Sequence, residues 1–321
     1  MNKNLRNTLA TAVTAAVVLC LCVLAFLWSD RSLTPNQLAT GKLLLLVCGC
    51  AAAYCFVVGE LANNFSQMDK LWSLLPIVYT WIAAIRGGLG LRSVLFALIV
   101  TAWGLRLTFN FARKGAYSWK FWTGVEDYRW AIVRSSSILR YRPLWMLFDL
   151  FFISIYQNLL VLAICLPALA CMGSAVPFGW VDILAAVCAV GFLVLETVAD
   201  EQQWRFHQNK KRLLEQQHKQ LERLPAPYDL GFNTTGLWNR MRHPNYLGEQ
   251  GIWLSLYLFA VGAGAACRGI FHWSLIGPLF LVLLFMGSST LGESISARKY
   301  PRYKDYMARV FKYLPLRAFR K

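Results

Sequence analysis

The chain has 321 residues, 57% of them hydrophobic and only 15% charged, against the ~25% charged residues of a soluble domain. That balance excludes an ordinary soluble globular enzyme. Yet 33 Lys and Arg stand against 16 Asp and Glu, a formal net charge of +17, so the basic residues must lie apart from the apolar mass.

Apolar runs of about 20 residues cross a bilayer as helices. Eight such runs follow one another: Leu9–Trp28, Leu43–Ala62, Leu71–Ile85, Ser93–Ala112, Leu144–Met172, Phe178–Val198, Asn245–Cys267 and His272–Ser294. The third is short and holds Pro76; the fifth is long enough to tilt, or to end at Pro167. Only Lys3 and Arg6 precede the first, and no small-x-small cleavage site closes it. It is therefore expected to stay as a span rather than act as a signal peptide. The expected fold is all-α, a polytopic transmembrane helical bundle of about eight spans with amphipathic helices on the cytosolic side. The chain is expected to divide into N-terminal spans, 1–64, set apart as an accessory part by the family resemblance given below, and a main domain, 65–321.

With the N-terminus inside, 27 of the 33 basic residues fall on inner segments and 5 on outer ones, with Arg106 inside a span. This obeys the positive-inside rule and expects both termini in the cytosol, at the inner membrane if the cell is bacterial. Charge sorted by side serves orientation, so no nucleic-acid partner is expected; the partner is the bilayer itself. The nine cysteines all fall within expected spans and read as small packing residues, not as a disulfide framework or a metal site. No metal is expected, and no GxGxxG, P-loop or HExxH motif occurs.

Ionisable groups inside a membrane are expensive and mark candidate functional positions. Glu60, Arg106, Asp149, Glu196, Glu249 and Glu293 all sit toward the cytosolic ends of their spans, and Asp182 is the exception near an outer end. This pattern expects a polar cavity open to the cytosol. The alternative is that such groups mark helix ends in the headgroup zone.

Three segments carry denser signals. After the sixth span Glu196, Asp200, Gln203, His207 and Lys210 recur at three- and four-residue spacing, which puts them on one helix face about 80° wide. Acid and amide groups suit the hydroxyls and amide of a ribose or nicotinamide, and the basic Lys210, Lys211 and Arg212 suit phosphate; a solvated surface helix is the other reading. Next comes Gly236 to Glu249, with Trp238, Arg242, His243, Asn245 and Tyr246. Pro244 forbids helix at His243 and starts one itself. Arginines before a helix N-terminus suit an anion, whereas basic headgroup anchors explain the arginines but not His243, Asn245 or Glu249. In the tail, Tyr303, Tyr306, Val310 and Tyr313 form a stripe opposite Arg and Lys, as expected of an amphipathic surface helix. That stripe is either an interface anchor or, with Lys299 and Tyr300, a cap over bound phosphates.

These segments resemble the steroid 5-alpha-reductase-like membrane reductases, above all a bacterial branch first described as a domain of unknown function. The matching residues are Ala199-Asp200-Glu201-Gln202-Gln203 with Phe206, Gly236-Leu237-Trp238, Arg242-His243-Pro244-Asn245-Tyr246 and Gly248-Glu249. They continue with Glu293, Lys299-Tyr300, Tyr303, Tyr306 and Leu314-Pro315, and upstream with Trp103-Gly104-Leu105-Arg106-Leu107 and Glu126-Asp127-Tyr128-Arg129. The match covers residues 65–317 and is densest from Glu196 onward.

The resemblance implies an NADPH-dependent oxidoreductase acting on CH–CH groups, which transfers hydride to the C=C of a lipophilic enone, steroid-like or another lipid. It implies that Glu196, Asp200, Asn245, Tyr246 and Glu249 make the cofactor's polar contacts, with Arg242, His243, Lys299 and Tyr303 on its phosphate side; Gln203 and His207, on the same ridge, and Trp238 are expected to join them. On the substrate side it implies Asp69 as the acid, and the intramembrane charges Arg106 and Glu60 are expected to act with it. The chain departs from the family at Trp103, where a Tyr is expected, which points away from a steroid.

The alternative is an S-adenosylmethionine-dependent membrane methyltransferase of the isoprenylcysteine or phospholipid type, which shares the Arg-His-Pro-x-Tyr-x-Gly segment. Glu249 after Gly248, Asn245, and the Asp200/Gln203 helix favour the reductase. A transporter or lipid-binding protein is the third class; against it, the charges trace no path to the outer side.

Overall fold

The computed structural model describes residues 3–28, 32–135, 137–217, 221–265 and 270–316. Arg31, Lys219, Cys267, Arg268, the basic residues after Leu316 and the side chains of Lys3 and Arg6 lie outside the described set.

Among the described residues the chain is helical, with one isolated parallel bridge, Met241 to Phe311. Helix α1 (Lys3–Leu27) precedes α2 (Pro35–Ala62), which starts at a capping box. Gln37 N–H donates to Thr34 Oγ1 at 3.2 Å, Thr34 N–H donates to Gln37 Oε1 at 3.0 Å, and Pro35 takes the first helical position. Helices α3 (Gln67–Leu71), α4 (Leu75–Arg86), α5 (Leu91–Ala112) and α6 (Tyr128–Arg134) follow; Asp127 caps α6 by accepting Arg129 N–H at 2.9 Å.

The fifth expected span is a composite of α7 (Arg142–Phe148), a π-helical stretch Asp149–Tyr156, and α8 (Gln157–Ala170). The wider π turn stacks Phe148, Phe152 and Tyr156 at 5.0 and 5.5 Å. Pro167 lies inside α8 and does not end it. Helix α9 (Trp180–Gln217) runs unbroken for 38 residues past Val198, so the sixth span and the polar ridge are one helix. Then come α10 (Pro244–Gly262), α11 (Ile276–Lys299) and the short α12 (Tyr303–Arg309).

Five helical stretches are long and apolar enough to cross a membrane: Pro35–Ala62, Leu91–Ala112, Arg142–Ala170, Trp180–Gln216 and Trp273–Lys299. Val13–Leu27 and Leu75–Arg86 are shorter apolar helices. The seventh expected span, now α10, is not among the five, because Asn245, Glu249, Gln250 and Ser255 dilute its apolar character. On α9 the side chains of Ile183, Val187, Val190 and Val194 are exposed, an apolar face that lipid covers. The protein is a polytopic integral membrane protein.

The tail departs from expectation. Its helix stops at Arg309 rather than reaching Tyr313, and Val310 turns extended so that Phe311 can bridge Met241. The reason lies in packing: Tyr300, Tyr303, Tyr306 and Val310 are buried with Leu230 and Phe232 in an aromatic core, and are not spread along a membrane surface.

The chain forms two compact units. One comprises Met1–Ala15, Cys188–Trp253 and Val282–Lys321 and holds that aromatic core; the other comprises Ala16–Val187 and Leu254–Leu281. In the second unit Leu44, Cys48, Ala51, Cys55 and Gly59 make a buried stripe on α2, which packs against α8. Such small residues let helices approach closely where lipid removes the hydrophobic drive. Cys48, Cys55, Cys165 and Cys171 are packed in this way, whereas Cys20 and Cys50 are exposed. The same unit holds a closed ion pair: Arg92 Nε and Nη2 donate to Asp182 Oδ1 and Oδ2 at 2.7 and 2.9 Å. The remaining Arg92 donors reach Ser174 Oγ and the carbonyls of Val176, Pro177 and Gly262 within 3.2 Å.

Candidate functional site

Every expected cofactor residue lies in the first unit. The site forms where the ridge of α9 meets the segment leading into α10. Gly248 makes this contact possible: a Cβ there would lie 2.6 Å from Glu196 Cβ and 3.0 Å from its backbone. Gly236 has φ +58°, and an added Cβ would lie 2.5 Å from Gln202 Oε1. Gln202 Oε1 in turn accepts Leu237 N–H at 2.9 Å, and Trp238 Nε1–H donates to Ala199 O at 3.0 Å. The Gly236-Leu237-Trp238 turn is thus pinned flat onto α9.

Pro244 begins α10, as the sequence leads one to expect, and sends Asn245 back to α9, where its Nδ2 donates to Asp200 Oδ1 at 3.2 Å. One turn on, Glu249 is buried and accepts Trp253 Nε1–H at 3.2 Å. Along α9 burial falls from Glu196, which is buried, through the partly exposed Asp200 and Gln203 to the exposed His207. Gln203 Nε2 and His207 Nε2 lie 3.1 Å apart. Two buried acceptors here, Gln203 Oε1 and Asn245 Oδ1, receive no hydrogen bond from the described residues. Such atoms are rare and call for a donor.

The basic residues are arranged differently from what the sequence suggests. Arg242 Nε donates to Glu293 Oε1 at 2.7 Å, and its Nη1 donates to Met307 O at 3.1 Å and to Val310 O. His243 Nε2 lies 2.8 Å from the same Glu293 oxygen, and Lys312 Nζ lies 3.8 Å from the other. Arg242 N–H and His243 N–H also donate to Phe311 O and Lys312 O, both at 3.0 Å. The Tyr306 hydroxyl closes the clamp by donating to Trp238 O. Arg242 and His243 therefore fasten the C-terminal segment to the start of α10. The His243 ring stacks on Tyr246 at 5.1 Å, and Tyr246 meets Phe285 edge-on at 4.6 Å. Tyr303 lies in the aromatic core. Lys210 donates to Gly231 O at 2.7 Å while covering Phe206 and Tyr300, and Lys299 is exposed.

Burial pushes the His243 imidazole below its ordinary 6.5, against the pull of the Glu293 carboxylate. The folded state then binds fewer protons than the unfolded state just below that value, so stability is full above about pH 6.5 and falls as pH drops through it. A melting-temperature series from about pH 8 to 5 should show this decline, and His243→Gln should flatten it.

The expected substrate-side residues lie in the second unit. Asp69, on α3, accepts Trp130 Nε1–H at 3.0 Å, and burial pushes its carboxyl up. Glu60 pairs with Arg142, and Ser154 Oγ lies 3.4 Å from Asp149 Oδ1. Arg106 is half-buried on α5.

The contact of Gln202 with Leu237 N–H, the π turn at Asp149 and the burial of Lys70 leave no mark in the residue spacing. The Lys70 side chain is fully buried and donates to Phe121 O and Thr123 O, both at 2.7 Å. An Asp69-Lys70 pair ahead of a span signals charge but not the loop that wraps it. Among the described residues no three His, Cys, Asp or Glu side chains gather as a metal site.

Among proteins of similar sequence is the uncharacterized protein C594.04c of Schizosaccharomyces pombe, 34% identical over 305 residues, which cover 90% of this chain and 82% of that protein. No solved structure matches the chain. With the family model covering residues 55–310, the chain belongs to the family described as "Protein of unknown function (DUF1295)".

Proposed function

We propose that this protein is a membrane reductase that uses NADPH to reduce the C=C of a lipophilic enone. The observation that carries the reading is the junction of α9 and α10. There Asp200 and Asn245 are joined at 3.2 Å, beside the buried acceptors Gln203 Oε1 and Asn245 Oδ1. A carboxylate and amide oxygens that lack donors fit the hydroxyls of a ribose and the amide of a nicotinamide. The phosphate side fits through fewer groups than the sequence suggests, because Glu293 neutralises Arg242; exposed Lys299 and Arg240 would meet the phosphates.

When bound, NADPH supplies the hydride. The residues of the chain would hold its ribose and amide and supply an acid for the carbonyl oxygen. Asp69 suits that last role, since burial favours its protonated form and Trp130 fixes one carboxyl oxygen. Glu60 suits it less, because its carboxyl is already engaged by Arg142. With eight spans and the N-terminus inside, 27 of the 33 basic residues fall on one side, which supports a cytosolic cofactor site and cytosolic termini.

The test is the thermal shift that NADPH produces. Asp200→Ala and Asn245→Ala should each abolish it while leaving the melting temperature of the free protein within a few degrees. Two mutants that still respond as wild type would put the cofactor elsewhere.

A further inference from the structure

The second unit contains a cavity of about 390 Å³, within the range of small-ligand pockets, to which the proposed reaction assigns no ligand. Phe65, Glu126, Trp130, Arg134, Arg140 and Trp145 line it. Arg134 is held in place: its guanidinium stacks 5.4 Å from both the Phe65 and Trp145 ring centres, and its Nη1 donates to Asn63 Oδ1 at 3.1 Å. Arg140 lies 5.2 Å over the Tyr141 ring and donates to its hydroxyl at 3.3 Å.

Neighbouring carboxylates are committed to other arginines, Asp127 to Arg129 at 2.8 Å and Glu60 to Arg142. Among the described residues neither Arg134 nor Arg140 pairs with a carboxylate. Glu126, the acid in the lining, is engaged by the backbone, accepting Phe65 N–H at 2.6 Å. Trp145 is fully buried, and its indole N–H finds no acceptor among the described residues. Two guanidinium groups and an unanswered N–H call for an anion with several acceptor oxygens. Ile132, Ile138 and Leu144, on the same stretch of chain as the two arginines, are exposed. Exposed apolar side chains interleaved with arginines beside a membrane span are the pattern of a headgroup contact.

We propose that this cavity seats the phosphate of an anionic phospholipid headgroup, bound by Arg134 and Arg140. The full-length protein in detergent is titrated with short-chain phosphatidylglycerol, short-chain phosphatidylcholine and inorganic phosphate, and the melting temperature is read. Phosphatidylglycerol should raise it, and the other two should not. Arg140→Gln removes an exposed side chain without disturbing the fold and should weaken the apparent affinity about tenfold or more. Arg134→Lys, which keeps the charge but loses the stacked fork, should weaken it as well. Arg205→Gln, an exposed arginine on α9, should leave it unchanged. An equal response to phosphatidylcholine, a response to free phosphate, or unchanged affinity in both variants would overturn the proposal.

Discussion

Glu293→Gln is expected to destabilise the protein by about 3–5 kcal/mol, the range for removing one partner from a buried ion cluster. Glu293 accepts from Arg242 at 2.7 Å, meets His243 at 2.8 Å and faces Lys312 at 3.8 Å, and its side chain is only 6% exposed. Glutamine keeps the shape and removes the charge, so Arg242 and Lys312 remain positive in a dry site. The strain falls on the clamp that joins the His243-Pro244 turn to Phe311 and Lys312. Unfolding in denaturant should show the loss, and proteolysis should reach the C-terminal segment sooner. Adding Arg242→Met should recover part of the stability, because it removes the orphaned cation. A Glu293→Gln protein within about 1 kcal/mol of wild type would show that the cluster does not hold this unit together.

Asp182→Asn should be comparably damaging in the second unit, toward the lower end of the same 3–5 kcal/mol range. Arg92 and Asp182 are 7% and 1% exposed and are joined by two hydrogen bonds. Four further acceptors surround the guanidinium, so some of its donors stay satisfied after the mutation, but its charge does not. Replacing both residues with Leu should restore more stability than either single change retains, since a well-packed apolar pair avoids the desolvation of two ions. Melting curves of the two single variants and the double variant form the cycle that decides this.

Much of the helical architecture was legible because apolar runs are long and unambiguous, and Pro244 marked the start of α10. The rest failed for identifiable reasons. Arg92 and Asp182 are 90 positions apart, so each read as a lone charge near a span end. The same holds for Glu293 and Arg242, 51 apart. Helix α9 keeps the face that the spacing of Glu196, Asp200, Gln203, His207 and Lys210 predicts, and it runs on past the apolar span because Glu, Gln and Lys continue a helix as well as Val does, or better. The π turn from Asp149 to Tyr156 leaves no mark on a pattern that is apolar on all sides.

The Tyr stripe of the tail shows a different limit. Three- and four-residue spacing is the same for an interface anchor and for a packed core. What decides between them is Phe232, on a distant loop, whose ring lies 4.9 Å from Tyr303 and 5.4 Å from Tyr306. In the candidate site, residue types at Asp200, Gln203 and Asn245 pointed to hydroxyl and amide recognition, and Asp200 and Asn245 do meet, at 3.2 Å, while Gln203 lies beside His207. The arginines pointed to phosphate, and the structure instead pairs Arg242 with Glu293.

The central claim is the cofactor. The most direct measurement is the melting temperature of the purified protein with NADPH, NADH and S-adenosylmethionine in parallel. At a hundredfold excess over its dissociation constant a ligand stabilises by about 2.7 kcal/mol, a shift of several degrees. A site for NADPH requires that shift with NADPH, a smaller one with NADH, and none with S-adenosylmethionine. A shift with S-adenosylmethionine alone would contradict it.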